Sequence, residues 1–233
     1  MPMSKRIVRA LGLSLVGALI LAALCAGALI LGTDGADLSY RTLDYDVTAT
    51  ADGDLKVTEH IDIKLRKRKD DDGKTKPWRS AGNIPTTVKT NSIKFTVSFT
   101  MHDVATKWKD VATFQWEPFG ENNQVPIGTV TGTVHFPKGV TASNSWTWLH
   151  TEQTSETGRT KDGSFTFTVN DVKSGEYLDV VAAFDAAKAG DMARVETDDH
   201  LQELKEDEAD DERFWRNLER QRATRRLNNW MNT

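Results

Sequence analysis

Apolar and polar residues alternate along most of the chain from residue 43 onward. This period of two is typical of a β-strand with one buried face, because successive side chains point to opposite sides of a sheet. The pattern predicts eight strands, over residues 43–49, 55–65, 93–101, 111–116, 128–136, 145–149, 164–169 and 177–184. Turn residues such as Asp52 and Gly53 separate them. We therefore expect a mainly β protein that folds as an antiparallel β-sandwich of about eight strands over residues 43–186.

Residues 66–76 interrupt this alternation with six cations, three carboxylates and a glycine. The charges are mixed, and no aromatic residue is interleaved for base stacking. The segment therefore predicts a solvated hairpin end around Asp72 and Gly73.

Continuous apolarity replaces the alternation over residues 10–31, where no charged side chain occurs. As a helix that rises about 1.5 Å per residue, this run is long enough to cross a hydrocarbon core of about 30 Å. Lys5, Arg6 and Arg9 precede it, which favours a cytoplasmic N-terminus and an exported chain beyond it. The chain is therefore expected to contact the membrane through residues 10–31.

The boundaries of this N-terminal segment follow from the same pattern. Residues 1–32 are predicted to form an anchor, and residues 33–42 a linker to the sandwich. Ala26, Gly27 and Ala28 offer a small-residue cleavage pattern. The alternative to a retained single-pass anchor is therefore a signal peptide, whose removal would give a secreted protein.

The C-terminal segment, residues 187–233, is charged and favours a helix on propensity. Acidic residues cluster over 206–212, and six arginines follow over 213–226. The apolar residues do not form one helical stripe, which argues against a sustained coiled coil. The helix is either solvated or a juxtamembrane or partner-binding element that docks through its apolar residues. Those residues are Phe214, Trp215, Trp230 and Met231.

The composition argues against a nucleic-acid-binding protein and against a disulfide-bonded one. Lys and Arg number 30 against 34 Asp and Glu, for a formal net charge of −4, whereas general nucleic-acid binders usually carry a basic excess. We therefore expect no nucleic acid as a partner. Cys25 is the single cysteine, so no intramolecular disulfide can form.

Motifs that would indicate catalysis are missing from the sequence. It has no phosphate-binding glycine loop, no G-x-S-x-G elbow, and no H-E-x-x-H or C-x-x-C pattern. The histidines are scattered, and none has a partner at a spacing that alone implies zinc. They are His60, His102, His135, His150 and His200. The sequence thus predicts no catalytic residues, no metal site and no cofactor.

Two tryptophans offer a binding hypothesis. Trp146 and Trp148 are two residues apart on a predicted strand, so their rings face the same side. They could form a platform for a sugar ring or a peptide. The alternative is that they fill the core between two sheets, since aromatic residues dominate such interiors.

Several short motifs resemble a known family. They are YDV at 45–47, DG at 52–53 followed by VTE at 57–59, TVSFT at 96–100, QW at 115–116, and the strand at 130–137. Together with the hydrophobic N-terminus they resemble predicted bacterial membrane proteins of the domain of unknown function 2207 family, also called YciQ-like. The resemblance covers roughly residues 1–190. It implies an exported β-domain behind a signal sequence, and it implies no chemistry.

Glu59 is the one residue that breaks the alternation of its strand, because it stands on the apolar side. A buried carboxylate is costly unless it is paired and hydrogen-bonded. The family resemblance implies an arginine shortly after the VTE strand, which makes Arg79 the expected partner in a structural ion pair. The competing interpretation is a β-bulge that turns Glu59 to solvent.

These observations favour a non-catalytic role. We expect a membrane-anchored protein whose extracytoplasmic β-sandwich is an interaction or scaffold domain of the cell envelope. Its partner would be an envelope protein or a cell-wall polymer. The alternatives are a carbohydrate-binding module that uses Trp146 and Trp148 and, less favoured, an envelope hydrolase.

Overall fold

The computed structural model describes residues 38–65, 68–69, 72, 75–76, 78–79, 87–88 and 92–231. The longer strands are β1 (Leu38–Ala49), β2 (Leu55–Leu65), β7 (Ser92–Met101), β9 (Val111–Phe119), β10 (Ile127–His135), β11 (Ser145–His150), β12 (Ser155–Arg159), β13 (Phe165–Val172) and β14 (Leu178–Asp185). The two-residue strands are β3 (Arg68–Lys69), β4 (Thr75–Lys76), β5 (Trp78–Arg79), β6 (Thr87–Val88), β8 (Thr106–Lys107) and β15 (Arg194–Val195). A 3₁₀ turn (Ala186–Lys188) and the helix α1 (Leu201–Met231) complete the described elements.

The strands form two large sheets. Sheet I has six strands in the order β12-β13-β10-β1-β2-β7, and sheet II has five in the order β11-β14-β9-β8-β15. The pairs β3–β4 and β5–β6 form two small separate sheets. Both large sheets are mixed, because β1 pairs with β10 in parallel and β15 pairs with β8 in parallel.

The core lies between sheets I and II. On β2, Leu55, Val57 and Ile61 are almost fully buried, as the alternation predicts. Aromatic rings join the two sheets across the core: Tyr45 of β1 meets Trp116 of β9 edge to face, with ring centroids 5.1 Å apart. Such edge-to-face pairs add to the stabilisation that comes from area burial alone.

A tight turn connects β1 to β2. Gly53 has φ of 95°, a conformation that residues with a Cβ rarely adopt. Its carbonyl oxygen accepts hydrogen bonds from the backbone N–H groups of Val104 and Ala105, both at 2.9 Å. The Asp-Gly turn that the sequence predicts therefore also ties the first hairpin to the loop after β7.

The mainly β fold is confirmed, and a strand lies at each of the eight predicted positions. One detail of the expectation is wrong: the sheets are mixed and not purely antiparallel. The prediction also missed β12 (Ser155–Arg159) and the two-residue strands β5, β6, β8 and β15. β1 begins at Leu38, inside the range expected to be a linker. The hairpin around Asp72 is confirmed by the antiparallel pairing of β3 with β4.

The C-terminal helix is confirmed as α1, with 31 residues. Within the described part of the chain, no helix is both long and apolar enough to span a membrane. The predicted anchor, residues 10–31, lies outside the described residues.

Candidate functional site

The most chemically diverse surface is the outer face of sheet II, where α1 lies across the strands. On β11 the alternation places Trp146, Trp148 and His150 on this face, because each stands two residues from the next. Their cross-strand partners on β14 are Ala183, Val181 and Asp179. Directly opposite side chains on one face lie about 5 Å apart, so these rows are in contact.

The N-terminal end of α1 is held by a carboxylate from another loop. Asp110 accepts hydrogen bonds from the backbone N–H groups of His200 (2.9 Å) and Leu201 (3.1 Å). Partial burial alone would raise the pKa of Asp110, but these backbone bonds outweigh it and lower that pKa. The His200 ring also stacks on Trp108, with centroids 4.0 Å apart. The start of the helix is therefore fixed to sheet II.

The next turn of α1 docks through a small apolar cluster. Leu204 is buried against Val111, Val181 and Ala183, and Trp146 and Trp148 pack at its margin. The Lys205 ammonium lies 4.4 Å from the centroid of the Trp146 ring, within range of a cation–π contact. This cluster is separate from the main core between the sheets.

An ionisable cluster lies where the third turn of α1 crosses β11. His150 Nε2 is 2.8 Å from Glu208 Oε2, and the Glu208 side chain is almost fully buried. The ligand atoms of His150, Glu208 and Asp211 all lie within 4.8 Å of one another. Asp179, the cross-strand neighbour of His150, accepts a hydrogen bond from Gln115 Nε2 at 2.5 Å.

Burial and mutual charge shift the pKa values in this cluster. Burial raises the pKa of Asp179 to about 7; Glu117 and Glu208 add to the rise, whereas His150 and Gln115 oppose it. Burial alone would lower the pKa of His150. The hydrogen bond and charge of Glu208, with the charges of Asp179 and Asp211, outweigh burial and raise it. The arrangement can hold a proton or a cation between the helix and the sheet.

Further carboxylates lie near this cluster, around Tyr177. Burial raises the pKa of Tyr177 to about 12, and the nearby carboxylates of Glu152, Asp179, Glu121 and Asp211 add to that rise. All four charges act in the same direction. Carboxylates therefore surround Tyr177 at this end of sheet II.

Trp146 and Trp148 face the same side of β11, as predicted, and both are half-buried. The alternative in which they fill the core between the two sheets is wrong, because they pack on the outer face of sheet II beneath α1. Binding of a sugar or peptide by these two rings stays a prediction.

Glu59 lies on the inner face of sheet I and is only 3% exposed. Its Oε1 accepts a hydrogen bond of 2.8 Å from the hydroxyl of Tyr45, its cross-strand partner. Burial raises the pKa of Glu59, and the Tyr45 bond partly offsets this. The bulge that would turn Glu59 to solvent is not there, since β2 pairs in register with both neighbours at this residue. The Arg79 side chain lies outside the described part, so the ion pair stays a prediction.

Sequence reasoning did not identify the cluster of His150, Glu208, Asp179 and Asp211. Its members come from β11, β14 and α1, and apart from Glu208 and Asp211, which are three residues apart on α1, they are far from one another in the sequence. One signal was present in the helix. Leu201, Leu204 and Glu208 recur at the i, i+3, i+7 spacing of a docking face, so Glu208 occupies a position where an apolar residue is expected.

The likeness to solved structures is partial. A "putative protease" from Parabacteroides distasonis ATCC 8503 is 9% identical, with a TM-score of 0.38 over 64% of this chain and 40% of the other. The M1 zinc metallopeptidase from Deinococcus radiodurans is 15% identical, with a TM-score of 0.33 over 62% of this chain and 42% of the other. The matched region spans less than half of either structure, and no curated protein matches the chain.

The family comparison is more extensive. The family described as "Predicted membrane protein (DUF2207) N-terminal domain" matches residues 67–184, about half of the chain. The match extends from the charged hairpin after β2 to β14, and so it includes most strands of both sheets. The chain therefore belongs to the DUF2207 family of predicted membrane proteins, as the resemblance of its short motifs implied.

Proposed function

We propose that this protein is a membrane-anchored, non-catalytic interaction protein of the cell envelope, and that α1 presents its contact surface to a protein partner. The apolar run over residues 10–31 supports the anchor, and its basic flank supports an extracytoplasmic sandwich. Membership in a family of predicted membrane proteins agrees with the anchor.

The observation that carries this proposal is the exposure of α1 beyond Asp211. From residue 212 to 224, every residue whose side chain is described is exposed, and Phe214 is 56% exposed. The first three turns of the same helix are fixed to sheet II by Asp110, Leu204 and Glu208. A fixed base with an exposed continuation is suited to hold a contact surface at a defined orientation.

The composition of the arm beyond Asp211, residues 212–231, favours a protein partner. It contains six arginines together with Phe214, Trp215 and Trp230. Arginine and aromatic residues are enriched at the centres of protein interfaces, where they account for most of the binding energy. The excess of arginine over acidic residues in the arm favours a partner with an acidic surface.

Site-specific photo-crosslinking in envelope membranes tests the proposal. A photoreactive phenylalanine analogue is placed at position 214 of the full chain, and a matched control carries it at Thr141, an exposed residue in the loop before β11. We expect one discrete protein adduct from position 214 and none from position 141. Charge reversal at Arg213 and Arg216, both exposed, should reduce the yield of that adduct several-fold.

Binding to purified cell-wall polysaccharide, measured in parallel by co-sedimentation, distinguishes the carbohydrate-binding alternative. Our proposal would be overturned if the protein is retained on polysaccharide and position 214 gives no adduct. In that case retention should be lost in Trp146→Ala or Trp148→Ala while the fold stays intact. Absence of polysaccharide retention together with the position-214 adduct would support it.

A further inference from the structure

We propose that His150, Glu208 and Asp211 bind a divalent first-row transition metal ion, with zinc as the best match, and that this ion clamps α1 to sheet II. The inference is independent of the proposed interaction function, because it concerns the inner side of the helix base and not the arm beyond Asp211.

The geometry fits a small metal ion. One imidazole nitrogen and two carboxylates, one from each of Glu208 and Asp211, have ligand atoms within 4.8 Å of one another. Ligands of a tetrahedral zinc ion stand about 2.0–2.3 Å from the metal, which puts neighbouring ligand atoms roughly 3.3 Å apart. His150 Nε2 and Glu208 Oε2, now 2.8 Å apart, need to separate only slightly. Small side-chain rotations would therefore suffice to form the site.

Asp179 is a second, independent observation that points to a cation. Its side chain is 9% exposed, and while Oδ2 accepts from Gln115, Oδ1 is buried without a hydrogen-bond partner among the described residues. Asp179 is the direct cross-strand partner of His150 and shares its face of the sheet. A buried carboxylate oxygen without a partner is costly, and a cation held by the neighbouring His150 would lessen that cost.

Metal binding would replace the ion pair that His150 forms with Glu208, because a ligating histidine is neutral. The ion pair and the metal site are therefore alternatives at one place.

The donor set selects the class of metal. Imidazole nitrogen with carboxylate oxygens suits zinc and its first-row neighbours, whereas calcium and magnesium prefer oxygen ligands alone. His150 comes from β11, and Glu208 and Asp211 come from α1. One ion would therefore join the sheet to the helix through three protein ligands, with the fourth tetrahedral position left to water.

The test is metal binding by the purified full chain in detergent, stripped with a chelator and then titrated with Zn²⁺, Mn²⁺, Mg²⁺ and Ca²⁺ by calorimetry. We expect one Zn²⁺ per chain, with Mg²⁺ and Ca²⁺ bound at least 10-fold more weakly. Asp211→Asn should weaken Zn²⁺ binding at least 10-fold, whereas the control Glu212→Gln, which changes an exposed neighbour, should leave it unchanged.

Limited proteolysis provides a readout of the clamp itself. With saturating Zn²⁺ the base of α1 should resist cleavage several-fold longer than without it, in the wild type and in Glu212→Gln but not in Asp211→Asn. Because Glu208 is fully buried, Glu208→Gln is informative only where circular dichroism shows that the fold is retained. Failure of the wild type to bind Zn²⁺ stoichiometrically, or equal binding by Asp211→Asn and the wild type, would overturn the assignment.

Discussion

The hydrogen bond from Tyr45 to Glu59 gives the sharpest test of how the core tolerates a carboxylate. Tyr45→Phe removes the hydroxyl that donates to Glu59 Oε1 at 2.8 Å. It keeps the ring, and with it the edge-to-face contact with Trp116 at 5.1 Å. The change therefore isolates one hydrogen bond from the packing around it.

The stability that Tyr45→Phe is expected to lose depends on pH. Burial raises the pKa of Glu59 in the folded protein above its unfolded value, so stability declines as the pH rises from about 4.3 through the folded-state pKa. Tyr45→Phe removes the bond that offsets this rise, so the decline extends to higher pH. We therefore expect a larger cost at pH 7.5 than at pH 5, because loss of a hydrogen bond to a neutral carboxyl costs about 1 kcal/mol and loss of one to a charged acceptor costs about 1.5–3 kcal/mol.

Urea unfolding of the full chain in detergent, followed by tryptophan fluorescence at both pH values, measures the two free energies. Thr58→Val is the matched control, because it removes the 3.1 Å contact with Ser98 on the exposed face of the same strand. It should change the free energy of unfolding by less than about 0.5 kcal/mol. A Tyr45→Phe cost below about 0.5 kcal/mol at both pH values, or one that does not grow with pH, would refute the reasoning.

Other predictions concern the proposed ion pair and the base of α1. If Glu59 pairs with Arg79, Glu59→Gln should lower the free energy of unfolding by about 3 kcal/mol. A decrease of less than about 1 kcal/mol in urea unfolding would count against that pair. Trp148→Ala should cost about 2 kcal/mol, roughly half the value for a fully buried tryptophan, and circular dichroism melting would measure it. Asp110→Ala should cost about 1 kcal/mol at neutral pH. The folded-state pKa of Asp110 is lowered, so its contribution to stability is present above about pH 4 and is lost as the pH falls through that pKa. Equal acid-unfolding curves for Asp110→Ala and the wild type would contradict a stabilising role for its hydrogen bonds to the start of α1.

The strands were predictable because a half-buried strand has a period of two that a sequence displays directly. β12 (Ser155–Arg159) escaped prediction for the converse reason. It is an edge strand of sheet I without an apolar residue, and most of its side chains are exposed. The parallel pairing of β1 with β10 was also beyond the pattern, since alternation shows which residues face the core and not which strand lies beside which.

The outer face of sheet II was only half predictable. The alternation along β11 placed Trp146 and Trp148 on one face, but it could not show that α1 covers that face. The helix lacks a recognisable apolar stripe because Glu208 occupies a docking position. It forms an ion pair there with His150, which lies far away in the sequence. Long-range pairing of polar groups has no local signature, so the ionisable cluster required the structure.

The location of the sandwich tests the central claim most directly. In a Cys25→Ser background, a single cysteine is introduced at Ala142, an exposed residue in the loop before β11. Intact bacterial spheroplasts that produce the full chain are then treated with a membrane-impermeant maleimide. An extracytoplasmic sandwich predicts that position 142 is labelled as fully before lysis as after it. Labelling that appears only after lysis would contradict the account.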